Sequence, residues 1–228
     1  MNKKMKILIV AAHPDDEILG CGATAARFIE EGNEVYTLIL GEGVTSRDVN
    51  RDIHKRKSEL ISLKKEIESA NGIIGVKEFF LYDFPDNRFD SVPLLDIVKV
   101  IEGVKDKIKP NIIFTHFEND LNIDHQITYK AVITATRPIG KDCVNEIYSF
   151  EVPSSTEWNF PNKFSPDVFF DVSETIQKKI SAMAEYNSEL KDFPHPRSLE
   201  GIKLIARYRG LNVGKKFVES FKCVRKIC

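Results

Sequence analysis

The sequence has no long hydrophobic run. Its longest apolar stretch near the amino terminus, Ile7–Ala12, is ended by the polar segment His13–Glu17. A secretory signal needs an apolar core of at least about seven residues, and a membrane span needs roughly 20. We therefore expect a protein with neither a signal peptide nor a membrane span, located in the cytoplasm.

Cysteines are few, and their spacing is not that of a metal or redox motif. The four are Cys21, Cys143, Cys223 and Cys228, and no two form a C-x-x-C pair. A chain of 228 residues can bury enough surface to fold without disulfides. The pattern is typical of reduced thiols in a cytoplasmic protein.

The sequence also lacks an excess of charge of either sign. Lys and Arg total 33, Asp and Glu total 34, and the net charge is −1. Proteins that bind nucleic acids usually carry a basic excess, so we expect no nucleic-acid partner. Hydrophobic residues make up 42% and charged residues 29%, a globular composition that excludes a disordered, collagen-like or coiled-coil chain.

What the sequence does contain is an alternation of apolar strands and amphipathic helices. The predicted strands are Lys6–Ala12, Glu34–Leu40, Glu78–Leu81, Asn111–Thr115 and Val144–Glu151. The predicted helices are Asp15–Glu31, Ser46–Ala70, Leu94–Ile108 and Gln126–Thr136. This order predicts an α/β fold with a mainly parallel sheet and helices on both faces.

The last third of the chain departs from this alternation. A long loop over residues 152–166 precedes a strand near Phe169, helices Glu174–Tyr186 and Ser198–Tyr208, and a final strand Lys216–Cys223. No repeat and no linker divides the chain. We therefore expect a single domain over residues 1–228, with a core of about 1–151 and a carboxy-terminal part, 152–228, that completes the site.

Polar side chains follow the first and the fourth predicted strands. His13, Asp15 and Asp16 follow the first, and His116 and His125 follow the fourth. Open α/β sheets bind ligands outside the carboxyl ends of their strands. The sequence therefore predicts a site at this edge of the sheet.

His13 and Asp16 are three residues apart where a strand turns into a helix, so both side chains can face one point. An imidazole and a carboxylate without thiolates suit Zn²⁺, Fe²⁺ or Mn²⁺. His125 is the candidate third ligand, and Asp15 is a candidate base on the open side. Alternatively, Asp15 and Asp16 only cap the helix, where carboxylates are favoured by about 0.3–1 kcal/mol.

The Gly-rich loop of dinucleotide-binding folds is missing. Such a loop has the form G-x-G-x-x-G directly after the first strand. Here His13–Glu17 takes that place, and Gly20-Cys21-Gly22 comes a helical turn too late. The sequence therefore disfavours a dinucleotide-dependent oxidoreductase.

The segment Ala11–Glu17 resembles the A-H-P-D-D-E signature of the PIG-L/LmbE-like deacetylases. The similarity continues over essentially the whole chain. Its further parts are Arg56-x-x-Glu59, Pro85-Asp86, Asp120-x-Asn122-x-Asp124-His125, Arg209-Gly210 and Glu219-Ser220-Phe221.

The resemblance implies a Rossmann-like fold and a zinc-dependent hydrolase that removes an acetyl group from an N-acetylated amino sugar, a small-molecule substrate. It implies that His13, Asp16 and His125 hold one divalent metal, with Fe²⁺ or Mn²⁺ as alternatives to Zn²⁺. Asp15 would be the general base. Arg56 and Asp86 match positions that hold the sugar. A homo-oligomer remains possible.

One residue departs from the family's commoner pattern. Asn122 stands where many members have the first histidine of H-x-D-H, and Asp124 thereby loses its obvious partner. An amide donates a hydrogen bond but cannot transfer a proton. We expect Asn122 to bind the substrate carbonyl or a water on the metal, and His195, in a Pro-flanked loop, to supply the titrating group. Arg197 would face an anionic part of the substrate, and His116 is the alternative histidine.

A non-catalytic metal- or sugar-binding protein on the same scaffold is the alternative to an enzyme. Asp15 distinguishes the two, because a scaffold that had lost its activity would have no need of a base between two ligands.

Overall fold

The computed structural model describes residues 4–140 and 143–228. They form a seven-stranded sheet with the order β3-β2-β1-β4-β5-β7-β6. The strands are β1 (Lys6–Ala11), β2 (Glu34–Gly41), β3 (Glu78–Phe84), β4 (Ile112–His116), β5 (Glu146–Phe150), β6 (Val168–Asp171) and β7 (Val218–Lys226). The helices are α1 (Asp16–Glu30), α2 (Lys57–Ile74), α3 (Leu94–Ile108), α4 (Ile123–Ala135), α5 (Ile176–Glu185) and α6 (Leu199–Leu211).

The sheet is mainly parallel, as the sequence predicts. Strands β1 to β5 pair in parallel, and β7 pairs antiparallel with both β5 and β6. The fold is therefore a single α/β domain of the Rossmann-like type. In the part of the chain that the structure describes, no helix is both long and apolar enough to cross a bilayer.

The central strand β1 is buried on both faces, which explains its unbroken apolar run. Ile7, Ile9 and Ala11 pack into the cluster that includes residues of α1, α2, α5 and α6. Leu8 and Val10 pack on the opposite face with residues of α3 and α4. Because both faces are covered, the polar residues that follow β1 can only collect at the edge of the sheet.

Helix α1 is interrupted at Cys21, whose φ of −150° and ψ of 22° are not helical. On β7, Glu219 accepts hydrogen bonds from two backbone amides after the break. On α5, Lys179 donates to Glu219 at 2.6 Å and to a backbone carbonyl before the break at 2.7 Å. This buried ion pair satisfies backbone groups that the interrupted helix leaves without helical partners.

The predicted helix Ser46–Ala70 is wrong at both ends. Its first part is a short 3-10 turn, Thr45–Arg47, followed by an irregular segment, and α2 begins only at Lys57. The helix also continues past Asn71 to Ile74 and is capped by Gly75, whose φ is +93°. Asn71 does not stop it, because its amide is buried and donates to Ile67 and to a carboxylate on α1.

Candidate active site

The turn between β1 and α1 carries the first residues of the site, His13, Asp15 and Asp16. Asp15 adopts a left-handed conformation with φ of +96°, which is uncommon for a residue with a side chain. Its carbonyl accepts from the amides of Ile18 and Leu19, and its own amide donates to Glu17 at 3.0 Å. Asp15 occupies the N-cap position of α1, but its side chain makes no capping hydrogen bond. The carboxylate of Asp15 is therefore directed elsewhere.

Three side chains of suitable ligand type meet at this edge. His13 Nδ1 lies 3.4 Å from Asp16 Oδ2, which lies 3.2 Å from His125 Nε2, and the two histidine nitrogens are 3.3 Å apart. Asp16 Oδ1 is buried and has no hydrogen-bond partner among the described residues. Two imidazoles, one carboxylate and an unpartnered oxygen fit a divalent cation of the Zn²⁺, Fe²⁺ or Mn²⁺ type.

Both histidines turn their other ring nitrogen toward a carboxylate. His13 Nε2 lies 2.9 Å from Asp124 Oδ2, and His125 Nδ1 lies 3.1 Å from Asp120 Oδ1. Such contacts fix the tautomer and orientation of metal-ligating histidines. Asp124 is thus not left without a partner by the change at Asn122, and it also accepts from a backbone amide at 2.9 Å.

Asp120 is held in turn from the loop that follows β5. Its carboxylate accepts hydrogen bonds from the hydroxyls of Ser155 and Thr156 and from the backbone amide of Asn122. Asp120, which contacts the candidate ligand His125, is therefore held by groups from two loops that are distant in sequence.

Charges within the cluster oppose the effects of burial. Burial lowers the pKa of His125, but Asp16 and Asp120 outweigh it and raise the pKa to about 9. Burial raises the pKa of Asp16, but His125 and His116 outweigh it and hold the pKa well below its usual range. The carboxylates thus favour positive charge on His125, which a divalent cation would supply in place of the proton.

Asp15 is buried beside this cluster and forms an ion pair with Arg197. Its Oδ2 accepts from Arg197 Nη1 at 3.0 Å. Burial raises the pKa of Asp15 well above its usual range, although Arg197 lowers it. A carboxyl group with a raised pKa is suited to accepting and returning a proton near neutral pH.

A cavity of about 110 Å³ opens over these groups. Of the predicted site residues, it is lined by His13, Asp15, Asp86, Asn122 and Arg197. The lining residues that the sequence did not single out include Arg47, Asn87 and Glu189.

The predicted sugar contact Arg56 is not among the residues that line this cavity. Its guanidinium binds Asp48 and Glu59, each at 2.7 Å. The arginine that lines the cavity from the segment between β2 and α2 is Arg47, in the 3-10 turn. It donates to Glu189 at 2.6 Å. Contact between Arg56 and a sugar stays a prediction. Arg47, unlike Arg56, is placed to contact a molecule in this cavity.

Asn122 lines the cavity and also begins α4 as its N-cap. Its Oδ1 accepts from the backbone amide of Asp124 at 2.8 Å, and its Nδ2 donates to Asn87 at 2.8 Å. This cap explains why α4 begins at Ile123, three residues before the predicted Gln126.

His195 does not line the cavity. Its Nδ1 accepts from the backbone amide of Arg197 at 3.1 Å, and its ring meets Trp158 edge to face with the ring centroids 5.8 Å apart. Burial, Arg197 and Lys191 lower the pKa of His195. Its connection to the site therefore passes through Arg197.

His116 lies nearer to the ligands than His195 does. It is fully buried, and its ring stacks on that of His125 with centroids 3.9 Å apart. The amide of Ala12 donates to its Nε2 at 2.8 Å. Burial and His125 lower its pKa well below the usual range. His116 is thus a neutral ring that supports His125.

Sequence reasoning also missed the contacts behind Asp15. Glu17 is buried and accepts from Tyr186 at 2.5 Å and from Asn71 at 3.1 Å, in addition to the amide of Asp15. Burial raises the pKa of Glu17 to about 7, although Tyr186 lowers it. Only its place at the end of the A-H-P-D-D-E segment marked Glu17 in the sequence.

Comparison with known proteins gives consistent relatives. The chain is 29% identical over 193 residues to the uncharacterized deacetylase YaiS of Escherichia coli (strain K12), a match that covers 82% of this chain and 93% of that protein. It is 23% identical over 185 residues to the probable N-acetyl-alpha-D-glucosaminyl L-malate deacetylase 2 of Bacillus cereus, covering 80% and 83%.

Similar solved structures share the fold and include another type of enzyme. GalB, the 4-carboxy-2-hydroxymuconate hydratase from Pseudomonas putida KT2440, has a TM-score of 0.76 and 21% identity, with 98% of each chain covered. The fold alone therefore does not determine the reaction, which depends on the groups at the site. The family model PIG-L, described as GlcNAc-PI de-N-acetylase, matches residues 8–136, more than half of the chain. The chain belongs to the PIG-L family.

Proposed function

We propose that this protein is a metal-dependent deacetylase that hydrolyses the acetamide of an N-acetylated amino sugar. The observation that carries the proposal is the meeting of His13, Asp16 and His125 beside the buried carboxylate of Asp15, next to a cavity that His13 and Asp15 line. The relatives named as deacetylases support the same reaction class.

His13, Asp16 and His125 would hold one Zn²⁺, with Fe²⁺ and Mn²⁺ as alternatives, because the donor set contains nitrogen and oxygen without sulfur. The chemistry that the cation supplies when bound is Lewis acidity, which acidifies water and stabilises negative charge on a carbonyl oxygen. Asp124 and Asp120 would keep the two imidazoles in the ligand tautomer.

Asp15 has the central role among the chain's own groups. Its carboxylate takes a proton from the attacking water as the new C–O bond forms at the acetamide carbon. The same carboxyl group returns the proton to the nitrogen as the C–N bond breaks, which leaves acetate and a free amine. Arg197 keeps the Asp15 carboxylate in place through the 3.0 Å contact.

The remaining cavity residues would bind the sugar. Asp86 can accept hydrogen bonds from sugar hydroxyls, and the Asn122 amide can donate to the substrate carbonyl. Arg197 would contact an anionic part of the substrate, and His195 would act as the titrating group of its loop. For His195 the support is its contact with the Arg197 amide.

The test is a deacetylation screen of the purified, metal-loaded protein. Free, nucleotide-linked and glycosidic N-acetyl sugars are supplied, and released acetate is measured. We expect acetate release from at least one class, and its loss in Asp15→Asn. Stoichiometric metal and sugar binding without acetate release from any class would instead identify a non-catalytic binding protein.

A further inference from the structure

A second cavity lies near the site, on the side of α6. Its volume is about 360 Å³, within the range of small-molecule binding sites. Its walls are mostly apolar. The apolar side chains that line it are Pro153, Phe193, Pro194, Pro196, Leu204 and Ile205.

Three charged side chains line this cavity, and each has a partner within the chain: Glu157 accepts from the backbone amide of Ser154 at 2.7 Å. Arg209 donates to both carboxylate oxygens of Glu151, at 2.8 and 2.6 Å. A guanidinium held by a bidentate carboxylate has little remaining attraction for an anionic ligand. The cavity is therefore suited to an uncharged apolar group.

Two loops that line the second cavity meet at Arg197, a residue of the catalytic cavity. In the first, Pro153 lines the second cavity, while the hydroxyl of the next residue, Ser154, accepts from Arg197 Nε at 2.7 Å. In the second, Pro196 lines the second cavity, and the following residue, Arg197, lines the catalytic cavity and contacts Asp15. The contact between Ser154 and Arg197 thus joins the two loops along the border between the cavities.

We propose that the second cavity binds an apolar aglycone, an aryl or alkyl group joined to the amino sugar whose acetamide lies at the metal site. This inference rests on the proposed deacetylase function and names the class of substrate. An apolar group that leaves water for such a cavity gains binding free energy in proportion to the area buried.

Binding can be measured without catalysis. The phenyl and methyl glycosides of N-acetylglucosamine are titrated into the metal-free protein by calorimetry, with the fluorescence of Trp158, the single tryptophan, as a second readout. We expect the phenyl glycoside to bind about tenfold more tightly. Burial of the phenyl ring should contribute at least the binding free energy that a tenfold change in Kd requires. Equal affinity for the two glycosides would overturn the proposal, and this comparison requires no variant.

A matched pair of variants on α6 locates the effect. Leu204 lines the second cavity, whereas Leu211 does not and is 79% exposed. Leu204→Arg is expected to abolish the preference for the phenyl glycoside, and Leu211→Arg is expected to retain it. If both variants lose the preference equally, or neither does, the cavity is not the aglycone site.

The same ligands separate this inference from the proposed function. If acetate is released from both glycosides with the same KM, and Leu204→Arg changes neither KM, the deacetylase stands and the aglycone site is overturned. If no glycoside is deacetylated but the phenyl preference in binding is lost only in Leu204→Arg, the aglycone site stands and the catalytic proposal fails.

Discussion

The site has two halves that are built differently. The candidate metal-binding half comes from the ends of β1 and β4 and the start of α4, and its candidate ligands Asp16 and His125 are each 1% exposed. The other half comes from the loops after β2 and after α5, where the side chains of Arg47 and Arg197 are 40% and 23% exposed. The sheet thus fixes the position of the candidate ligands, while loops, which in general vary more than the elements they connect, form the other wall of the cavity.

The largest effect should come from breaking the buried half. We expect His125→Ala to lose most of its metal after dialysis, because only one imidazole and one carboxylate of the cluster remain. Elemental analysis measures the metal, and His54→Ala, at an exposed histidine outside the cluster, is the control. Full stoichiometric metal in His125→Ala would show that these residues are not the ligand set.

Asp15 lies where the two halves meet, and its replacement separates metal binding from catalysis. We expect Asp15→Asn to keep the metal and to lower kcat by about 10²–10⁴-fold, the usual cost of losing a general base. Asparagine fills the same space but cannot take a proton. Turnover within a few-fold of the parent, at full metal occupancy, would remove Asp15 from the mechanism.

Substitutions in the loop half should lower activity less than substitutions in the buried half. Arg197 and Arg47 both contact Glu189, but Arg197 also contacts Asp15. A hydrogen bond to a charged group contributes about 1.5–3 kcal/mol. We therefore expect Arg197→Gln to lower kcat/KM by roughly ten- to a hundredfold, and Arg47→Gln by less.

The pH profile sharpens this comparison of the two arginines. Arg197 lowers the pKa of Asp15, so its removal should raise that pKa. Because the base must be deprotonated to act, the acidic limb of kcat/KM should then move to higher pH in Arg197→Gln and remain in place in Arg47→Gln. If the acidic limb of kcat/KM lies at the same pH in the two variants, Arg197 does not act through Asp15.

The two halves also differ in how far the sequence predicted them. The imidazoles and the carboxylate follow recognisable strands, so the sequence predicted His13, Asp16 and His125 at one edge. The structure brings their side-chain atoms within 3.4 Å of one another. The sequence did not assign the carboxylate partners Asp120 and Asp124, because their contacts depend on which nitrogen of each ring is turned toward Asp16.

The loop half could not be derived from local pattern. The sequence favoured Arg56 because it begins a motif, but the irregular segment before α2 pairs Arg56 with Asp48 and leaves Arg47 at the cavity. The contacts of Glu17 with Asn71 and Tyr186 join residues 54 and 169 positions apart. Such contacts exist only once α2 and α5 have packed beside α1.

The smallest expected effect concerns His195, which belongs to the loop half and does not line the catalytic cavity. We expect His195→Gln to lower kcat by about five- to tenfold, because the ring reaches the site only through a single hydrogen bond to the backbone of Arg197. If His195 is the titrating group, the alkaline limb of the profile should also be lost, since the imidazole must be protonated to donate. Burial, Arg197 and Lys191 lower the pKa of His195, so that limb should lie below the usual range of histidine in the parent. His54→Gln serves as the matched control. A profile that His195→Gln leaves unchanged would limit His195 to holding Arg197 in place and would make His116, stacked on His125, the next histidine to replace.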